Sequence, residues 1–159
     1  MPTLFSQNLN NMGLETLAGK WYIHFSDFPM WLKGDKKRPT FNYTIVEKKG
    51  IKGLKDAVVY EKNGEQKAIL GFDTPTDATN TQFVWRGYGF LFFAKSNWKI
   101  IYIDSRNTWA VIQFEKTLFT PAGFDIISKN EKIEVDLATK MLEIFTKLNP
   151  HATLQRIEQ

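Results

Sequence analysis

Residues 54–72, LKDAVVYEKNGEQKAILGF, carry the pattern that decides the fold. Two runs rich in apolar and β-branched residues flank the dipeptide Asn63-Gly64. A type I′ turn requires positive φ at both central positions, and Asn-Gly meets this requirement well. The sequence therefore predicts a β-hairpin whose strands lie near Leu54–Lys62 and Gln66–Phe72.

Alternation of apolar and polar residues extends the β pattern on both sides of this hairpin. It dominates from 20 to 128, in short runs separated by Gly, Pro, Asn and Asp. It predicts six further strands, near Lys20–Ser26, Phe41–Lys48, Thr81–Arg86, Trp98–Asp104, Thr108–Phe114 and Gly123–Ser128. Eight strands in up-and-down order can close on themselves and leave an interior for side chains or one small ligand. The predicted fold class is all-β, an eight-stranded up-and-down antiparallel β-barrel.

The periodicity changes to a helical one after the last predicted strand. The apolar residues with this spacing are Leu137, Ala138, Met141, Ile144, Phe145 and Leu148. They predict one amphipathic C-terminal α-helix over about 131–148, packed outside the barrel, with Asn130 as N-cap and Asn149-Pro150 as its end. An apolar stretch at 154–157, within the tail 152–159, predicts a last short strand. With the barrel at about 17–128 and no linker, residues 1–159 are predicted to form a single domain.

Composition excludes several classes of protein. The chain has 159 residues, enough for one sizeable core, and 14% are aromatic. Its 21 basic and 17 acidic residues give a net charge of +4, which falls short of a nucleic-acid-binding footprint. The absence of cysteine excludes disulfides and thiolate chemistry. The sequence contains no run of 18 apolar residues, so no membrane-spanning helix is predicted. Residues 1–11 lack a secretory signal pattern, which suits a cytoplasmic chain or a mature exported form.

Three short motifs resemble those of the lipocalin family. Gly19 and Trp21, within LAGKWY at 17–22, match its glycine-x-tryptophan signature. The pair of segments 102–104 and 109–111 resembles the second motif, and IISK at 126–129 resembles the end of the eighth strand. The helix and tail also lie where bacterial-type and apolipoprotein-D-like lipocalins have theirs. The resemblance therefore covers nearly the whole chain.

Two positions depart from the family pattern. Lys129 stands where lipocalins usually have arginine, and Asp104-Ser105-Arg106 replaces the common threonine-aspartate-tyrosine. The resemblance implies that Gly19, Trp21, Asp104 and Lys129 meet as a structural motif at one closed end, since successive turns alternate between the two ends. Lysine can lie over an indole face but lacks the planar fork of guanidinium.

The resemblance also implies that the barrel binds and carries or stores a small lipophilic ligand of the fatty acid, lysolipid, retinoid or pigment type. Alternation along the strands selects the inward side chains, although a slip of one residue reverses a strand's faces. The predicted ligand-binding residues are Phe25, Phe41, Tyr43, Leu70, Phe83, Trp85, Ile100, Tyr102, Trp109 and Val111. The alternative is a solid packed core. No cofactor is expected.

The connections at the opposite end are unusually apolar. The residues predicted to form a barrel mouth are Phe28, Met30, Trp31, Phe92 and Phe93. Such a patch indicates a lid over the ligand, a surface that contacts membranes, a dimer interface or simple local packing. Basic residues lie beside the first apolar run, at Lys33, Lys36, Lys37 and Arg38. They suit an anionic lipid surface or head group, or form only a solvated loop.

Candidate chemistry is sparse. Only two histidines are present, so neither a histidine metal cluster nor a catalytic triad is supported, and His24 is predicted to face outward beside Asp27. The sequence therefore predicts a binding protein and no enzyme, a monomer or weak dimer whose partner is a small lipophilic ligand. One rival is a lipocalin-like enzyme acting on a bound lipid. It needs an inward acid near a tyrosine, and alternation shows none. The other rival is a filled-barrel interaction module.

Overall fold

The computed structural model describes residue 9, residues 12–91 and residues 94–159. Its helices are α1 (Leu14–Leu17), α2 (Pro29–Leu32) and α3 (Val135–Leu148), with one short 3-10 turn at Gly89–Leu91. Its strands are β1 (Gly19–Ser26), β2 (Lys37–Lys48), β3 (Ile51–Lys62), β4 (Glu65–Pro75), β5 (Gln82–Gly87), β6 (Lys95–Ile103), β7 (Trp109–Phe114), β8 (Gly123–Ser128) and β9 (Gln155–Arg156). None of the helices in this described part is long and apolar enough to cross a membrane.

The strands form one closed antiparallel barrel. Consecutive strands from β2 to β8 are hydrogen-bonded neighbours, β8 pairs with β1, and β1 returns to β2. The last contact begins where Gly19 pairs with Tyr43. The predicted eight-stranded up-and-down barrel is therefore confirmed, and β9 adds a short strand beside the end of β1, as the apolar tail predicts.

The hairpin between β3 and β4 has the predicted turn. Asn63 has a φ of 54° and Gly64 a φ of 76°, so both central residues adopt the left-handed conformation that a type I′ turn requires. Lys49 and Gly50, with φ values of 51° and 78°, repeat this conformation between β2 and β3. Tight turns of this kind fix the register of the longest strand pairs in the barrel.

The alternation of strand direction gives the barrel two different ends. At one end lie α1, the start of β1, the β6–β7 turn and the end of β8. Leu14 and Leu17 of α1 are buried in the interior of the barrel and close this end. The other end carries α2 and the β3–β4, β5–β6 and β7–β8 connections, and we call it the mouth.

The C-terminal helix packs outside the barrel, as predicted, but begins later than predicted. Its N-cap is Glu134 and not Asn130. Asn130 is held elsewhere: its backbone N–H donates to Ser128 Oγ at 3.0 Å, and its carbonyl oxygen lies 2.8 Å from His24 Nε2. These contacts keep the chain after β8 extended until the helix can start.

His24 is buried beneath this segment, so the prediction of an exposed pair with Asp27 is wrong. Burial is the largest cause that lowers the pKa of His24, and the nearby charges of Arg156 and Lys132 act in the same direction. Asp27 instead accepts a hydrogen bond from the backbone N–H of Phe124 at 2.8 Å. The tail closes over His24, since the N–H of Ile157 donates to its carbonyl oxygen at 2.8 Å.

Two apolar clusters share the wall of the barrel. The interior cluster includes Trp21, Ile23, Phe28, Trp31, Phe41, Tyr43, Leu54, Val58, Phe83, Trp98, Ile100, Ala110, Ile112 and Ile127. The outer cluster, between barrel and α3, has as its buried members Phe25, Trp109, Val111, Ile126, Met141, Ile144 and Phe145.

Candidate ligand-binding site

A cavity of about 200 Å³ opens from the mouth into the barrel. Its apolar lining consists of Phe28, Met30, Trp31, Phe41, Tyr43, Val58, Ile69, Trp85, Ala94, Trp98, Phe114 and Phe119. Ligand sites are typically concave, with apolar and aromatic walls and a few polar groups. The cavity has this character, since two carboxyl groups and one lysine interrupt the apolar wall.

Aromatic rings form a continuous stack along one side of this cavity. The Phe83 and Trp98 ring centroids are 4.5 Å apart, and Tyr43 also stacks with Trp98, at 6.1 Å. Phe41 continues the stack from Tyr43 at 5.9 Å. Stacked rings hold one another in place, so this wall presents a rigid apolar surface.

Three of the predicted ligand-binding residues, Phe41, Tyr43 and Trp85, line the cavity. Phe83 and Ile100 are also inside the barrel, where both are buried in the interior cluster. Neither of these two lines the cavity, so they support its wall from behind. Five of the ten predicted side chains thus point inward.

Phe25, Tyr102, Trp109 and Val111 lie outside the barrel, against α3, and the prediction that they face inward is wrong. The register of β1 shifts between Ile23 and Phe25, and that of β6 shifts between Ile100 and Tyr102. A bulge inserts one residue and reverses the faces of the residues beyond it. On β7 the alternation was assigned to the wrong face: Ala110 and Ile112 point inward.

Leu70 also points away from the cavity, with 39% of its surface exposed, and its neighbour Ile69 lines the cavity instead. The inner face of β4 passes through Gly71. A Cβ atom at Gly71 would lie 2.1 Å from Trp85 Nε1, so the indole fills the space that this glycine leaves. Apolar residues at both 69 and 70 concealed the correct face.

The predicted mouth residues Phe28, Met30 and Trp31 lie at the mouth and line the cavity. Phe28 makes an edge contact with Phe114 at 5.2 Å, and Trp31 packs against Tyr60 at 5.9 Å. The apolar run around α2 is therefore folded over the cavity, as in the lid alternative. Phe92 and Phe93 lie outside the described residues.

Three aspartates inside the barrel were missed by the sequence analysis. Asp56, Asp73 and Asp125 are 4%, 0% and 1% exposed, and Asp56 and Asp125 line the cavity. Trp98 Nε1 donates to Asp73 Oδ1 at 2.8 Å. The Asp56 and Asp73 carboxyl groups are hydrogen-bonded to each other, whereas Asp125 Oδ1 is buried with no hydrogen-bond partner among the described residues. The conclusion from alternation that no inward acid lies near a tyrosine is therefore wrong.

Burial disfavours the charged form of all three carboxyls. Burial and then the charge of Asp73 hold the pKa of Asp56 well above its usual range. Burial raises the pKa of Asp73 to about 7, although the Trp98 hydrogen bond opposes it. Burial likewise raises the pKa of Asp125 to about 7, against a hydrogen bond from Ser26. Burial and the three aspartates together raise the pKa of Tyr43 well above its usual value.

The sequence contained a cue for one of these aspartates. Asp56 shares its strand face with Leu54 and Val58, both buried in the interior cluster. A carboxyl group between two inward apolar residues marks a buried acid. Asp125 gave no such cue, because every residue from Asp125 to Ser128 is buried on one face or the other.

The four motif residues lie together at the closed end. Trp21 Nε1 donates to the carbonyl oxygen of Leu17 at 2.8 Å, and Lys129 Nζ lies 5.0 Å from the Trp21 ring centroid. Gly19 begins β1 with a φ of 108°, a conformation that favours glycine. Asp104 organises the β6–β7 turn, accepting from the N–H of Trp109 at 3.0 Å and from Thr108 Oγ1 at 2.9 Å.

Whether the described side chains, including the interior carboxyls, could hold a metal ion depends on their grouping in space. Within residues 12–91 and 94–159, no group of three or more His, Asp or Glu side chains is placed to hold a metal ion. Lys95, at the mouth end of β6, is the one basic residue among the described residues lining the cavity. The site therefore combines apolar walls, deep acidic groups and one cation at its opening.

Comparison with known proteins gives similarity in structure alone. No family model and no curated protein matches the sequence. Insecticyanin from the tobacco hornworm Manduca sexta has a TM-score of 0.67 at 12% identity, covering 95% of this chain and 82% of insecticyanin. Lobster apocrustacyanin A1 has a TM-score of 0.64 at 14% identity, covering 91% of this chain and 78% of its own. Siderocalin Ex-FABP has the same TM-score and identity, covering 91% and 95%.

These similarities establish the class of fold. A closed eight-stranded antiparallel barrel with a C-terminal helix packed outside is the lipocalin fold, and this chain has it. The bacterial-type or apolipoprotein-D-like subtype stays a prediction. At such low sequence identity, similarity in fold does not imply that two proteins share a function.

Proposed function

We propose that this protein binds a small apolar molecule inside its barrel and carries or stores it. The observation that supports this most directly is the cavity under α2, with its aromatic wall and its opening at the mouth. A barrel that served only as a packed scaffold would gain stability by filling this space. The similarity to siderocalin Ex-FABP, described as functioning through dual ligand specificities, is consistent with this role.

The size of the cavity bears on the kind of ligand. Its volume of about 200 Å³ lies below the range of about 300–1,000 Å³ typical of ligand pockets. A compact ring system fits this space better than a complete retinoid or lysolipid. A ligand of that larger size would fit only if α2 moved away from the cavity. The acidic groups inside also disfavour a fatty acid with its carboxylate buried, and such a ligand would place its head group beside Lys95.

Native mass spectrometry of the purified protein, followed by organic extraction, tests the proposal. We expect a stoichiometric apolar molecule, or saturable uptake of the uncharged fluorophore N-phenyl-1-naphthylamine. Ile69→Trp should abolish uptake by filling the cavity. Leu70→Trp is the matched control, because Leu70 points away from the cavity. Equal uptake by both variants, or no uptake by the wild-type protein, would contradict the proposal.

Acid–base chemistry on the bound molecule is a second candidate function. The observation that favours it is the close pair Asp56 and Asp73 near Tyr43. Carboxyls with raised pKa values in an apolar site are suited to proton transfer near neutral pH. Molecules extracted from wild-type and Asp73→Asn protein should then differ in structure. Identical molecules from both proteins support binding alone.

Membrane contact is proposed for the rim of the mouth. Leu118 and Phe119, in the β7–β8 connection, are 95% and 68% exposed. Lys116 precedes them in the chain, and Lys95 borders the same surface depression as both. Exposed apolar side chains beside basic ones favour anionic lipid surfaces. Such contact would bring the mouth to a membrane from which an apolar ligand can be taken.

A further inference from the structure

The interior of the barrel holds acidic groups without a matching cation. Asp56, Asp73 and Asp125 are each more than nine-tenths buried. No lysine or arginine is buried in the described part of the chain, and no ion pair joins any of these three aspartates. Lys95 lines the cavity but is itself exposed at the mouth.

This arrangement is costly for the empty protein. A buried carboxylate without a positive partner loses its hydration and gains little in return. Burial disfavours the charged form and so raises the pKa values of Asp73 and Asp125. Asparagine or leucine would fill the same space at lower cost, so the carboxyl groups point to a partner that binds there.

An unpartnered oxygen indicates what that partner must offer. Asp125 Oδ1 belongs to a residue of the cavity wall and has no hydrogen-bond donor in the described structure. The Asp56 carboxyl group, also in this wall, is hydrogen-bonded to Asp73 and adds a second acidic group nearby. A carboxylate oxygen accepts hydrogen bonds, and a primary ammonium supplies three N–H donors together with the missing positive charge. Ser26 already supports the charged form of Asp125.

The walls around these oxygens indicate the rest of the ligand. Tyr43, Trp98 and Phe114 line the cavity, and the ring centroids of Trp98 and Phe114 are 6.2 Å apart. Aromatic side chains of this kind pack well against a planar apolar ring. The small volume of the cavity excludes long chains. A compact aromatic ring with a short aminoalkyl arm meets all of these conditions.

We propose that the barrel binds a small arylalkylamine, with its protonated amino group held by Asp125 and Asp56 and its ring against the aromatic wall. This rests on the proposed function and specifies its ligand class. An anionic ligand would face three acids, and a quaternary ammonium would leave the carboxylate oxygens without N–H donors. For a metal ion, the described residues contain no group of three or more His, Asp or Glu side chains placed to bind it.

Calorimetric titration with three matched indoles tests the proposal. Tryptamine, tryptophol and indole-3-acetate carry an ammonium, a hydroxyl and a carboxylate on the same ring. At about pH 8 we expect tryptamine to bind at least about tenfold more tightly than tryptophol, with indole-3-acetate weakest. N,N,N-trimethyltryptammonium retains the charge without N–H donors and should also bind at least about tenfold more weakly than tryptamine.

Isosteric variants assign the contact to named residues. Asp125→Asn should weaken tryptamine about tenfold or more and leave tryptophol nearly unchanged, and Asp56→Asn should have a smaller effect in the same direction. Asp136→Asn, an exposed position on α3, makes the same change in net charge and should leave both affinities unchanged. Uptake of N-phenyl-1-naphthylamine by each variant verifies that its cavity is intact.

The outcomes separate this inference from the proposed function. If the fluorophore binds but tryptamine shows no advantage over tryptophol, the amine inference is wrong and the general binding function stands. The same holds if Asp125→Asn takes up the fluorophore and keeps full affinity for tryptamine. If neither the fluorophore nor any of the indoles binds, both proposals are wrong.

Discussion

The two apolar clusters that share the barrel wall are built on different principles. In the outer cluster, Met141, Ile144 and Phe145 of α3 are buried against Phe25, Trp109 and Val111 of the strands. The interior cluster surrounds a cavity and three buried aspartates that have no cation partner among the described residues. Both are built on the same strands, so the fold alone does not require the interior to be polar or incomplete.

The difference indicates which region provides stability and which provides a site. Close apolar packing maximises the free energy gained from burial, as in the outer cluster. Buried carboxyls and empty volume reduce stability, and proteins retain such features mainly where they serve function. Mutations should therefore destabilise the outer cluster and, at selected positions, stabilise the interior.

The largest expected loss is in the outer cluster. Phe145→Ala should lower the free energy of unfolding by about 3–5 kcal/mol, because the buried ring leaves a cavity that α3 cannot close. Chemical denaturation measures this, and fluorophore uptake by the folded variant should stay unchanged. Thr146→Ala, at the exposed neighbouring position, is the control. A loss below about 1 kcal/mol would contradict the stabilising role of this cluster.

The largest expected gain is in the interior. Asp125 has a pKa of about 7 in the folded protein and an ordinary value of 3.8, so the folded state binds its proton more tightly. Stability should therefore fall as pH rises from about 4 to about 7. Above that window Asp125→Asn should gain up to about 4 kcal/mol, since each pKa unit is worth about 1.4 kcal/mol.

Denaturation of wild-type and Asp125→Asn protein across this pH range measures the gain. The difference between the two curves should be largest above about pH 7 and should shrink toward about pH 4. Asp136→Asn should show no such trend. Parallel curves for wild type and Asp125→Asn would mean that Asp125 does not carry an uncompensated charge.

A smaller effect is expected at the hydroxyl that supports Asp125. Ser26 Oγ accepts from the N–H of Phe28 at 3.0 Å, and Ser26 also hydrogen-bonds with Asp125. Ser26→Ala should lower the free energy of unfolding by about 1–3 kcal/mol at about pH 8 and weaken tryptamine. Ser128→Ala is the control, since Ser128 is equally buried and its Oγ accepts from the backbone N–H of Asn130 at 3.0 Å. Stronger amine binding by Ser26→Ala would count against the assigned contact.

The smallest effect on stability is expected at the rim. Leu118 is 95% exposed, so Leu118→Ser should change the free energy of unfolding by less than about 0.5 kcal/mol. Sedimentation with anionic vesicles should nevertheless show weaker binding, if the rim contacts membranes. Val135→Ser, at an 80% exposed position at the start of α3, is the matched control. Equal vesicle binding by both variants would reject the membrane contact.

Much of the fold was predictable because local patterns specify it. Asn63-Gly64 fixes one hairpin through its backbone conformation, and alternation identifies the strands even where their ends differ by a few residues. The helical spacing before Asn149 predicts α3. Its start was misplaced because Asn130 resembles an N-cap in sequence but is held by Ser128 and His24 in the structure.

The candidate site was less predictable than the fold, because the register of each strand decides which side chains point into the barrel. One-residue shifts in β1 and β6 carry Phe25 and Tyr102 to the outside, and no local pattern marks those shifts. On β7 and β8 both faces are buried, one by the interior and one by α3, so alternation of hydrophobicity disappears. Asp125 was therefore hidden in a strand that is apolar on both faces.

The sequence by itself determined the strands, the principal hairpin, the outer helix and the barrel that they form, because periodicity and turn chemistry act between near neighbours in the chain. Only the tertiary structure decided which side chains face the cavity, and that three carboxyl groups enclosed by distant strands have no cation partner among the described residues. The physical reason is that burial and charge compensation depend on groups brought together from β2, β3, β4 and β8, which no local pattern relates.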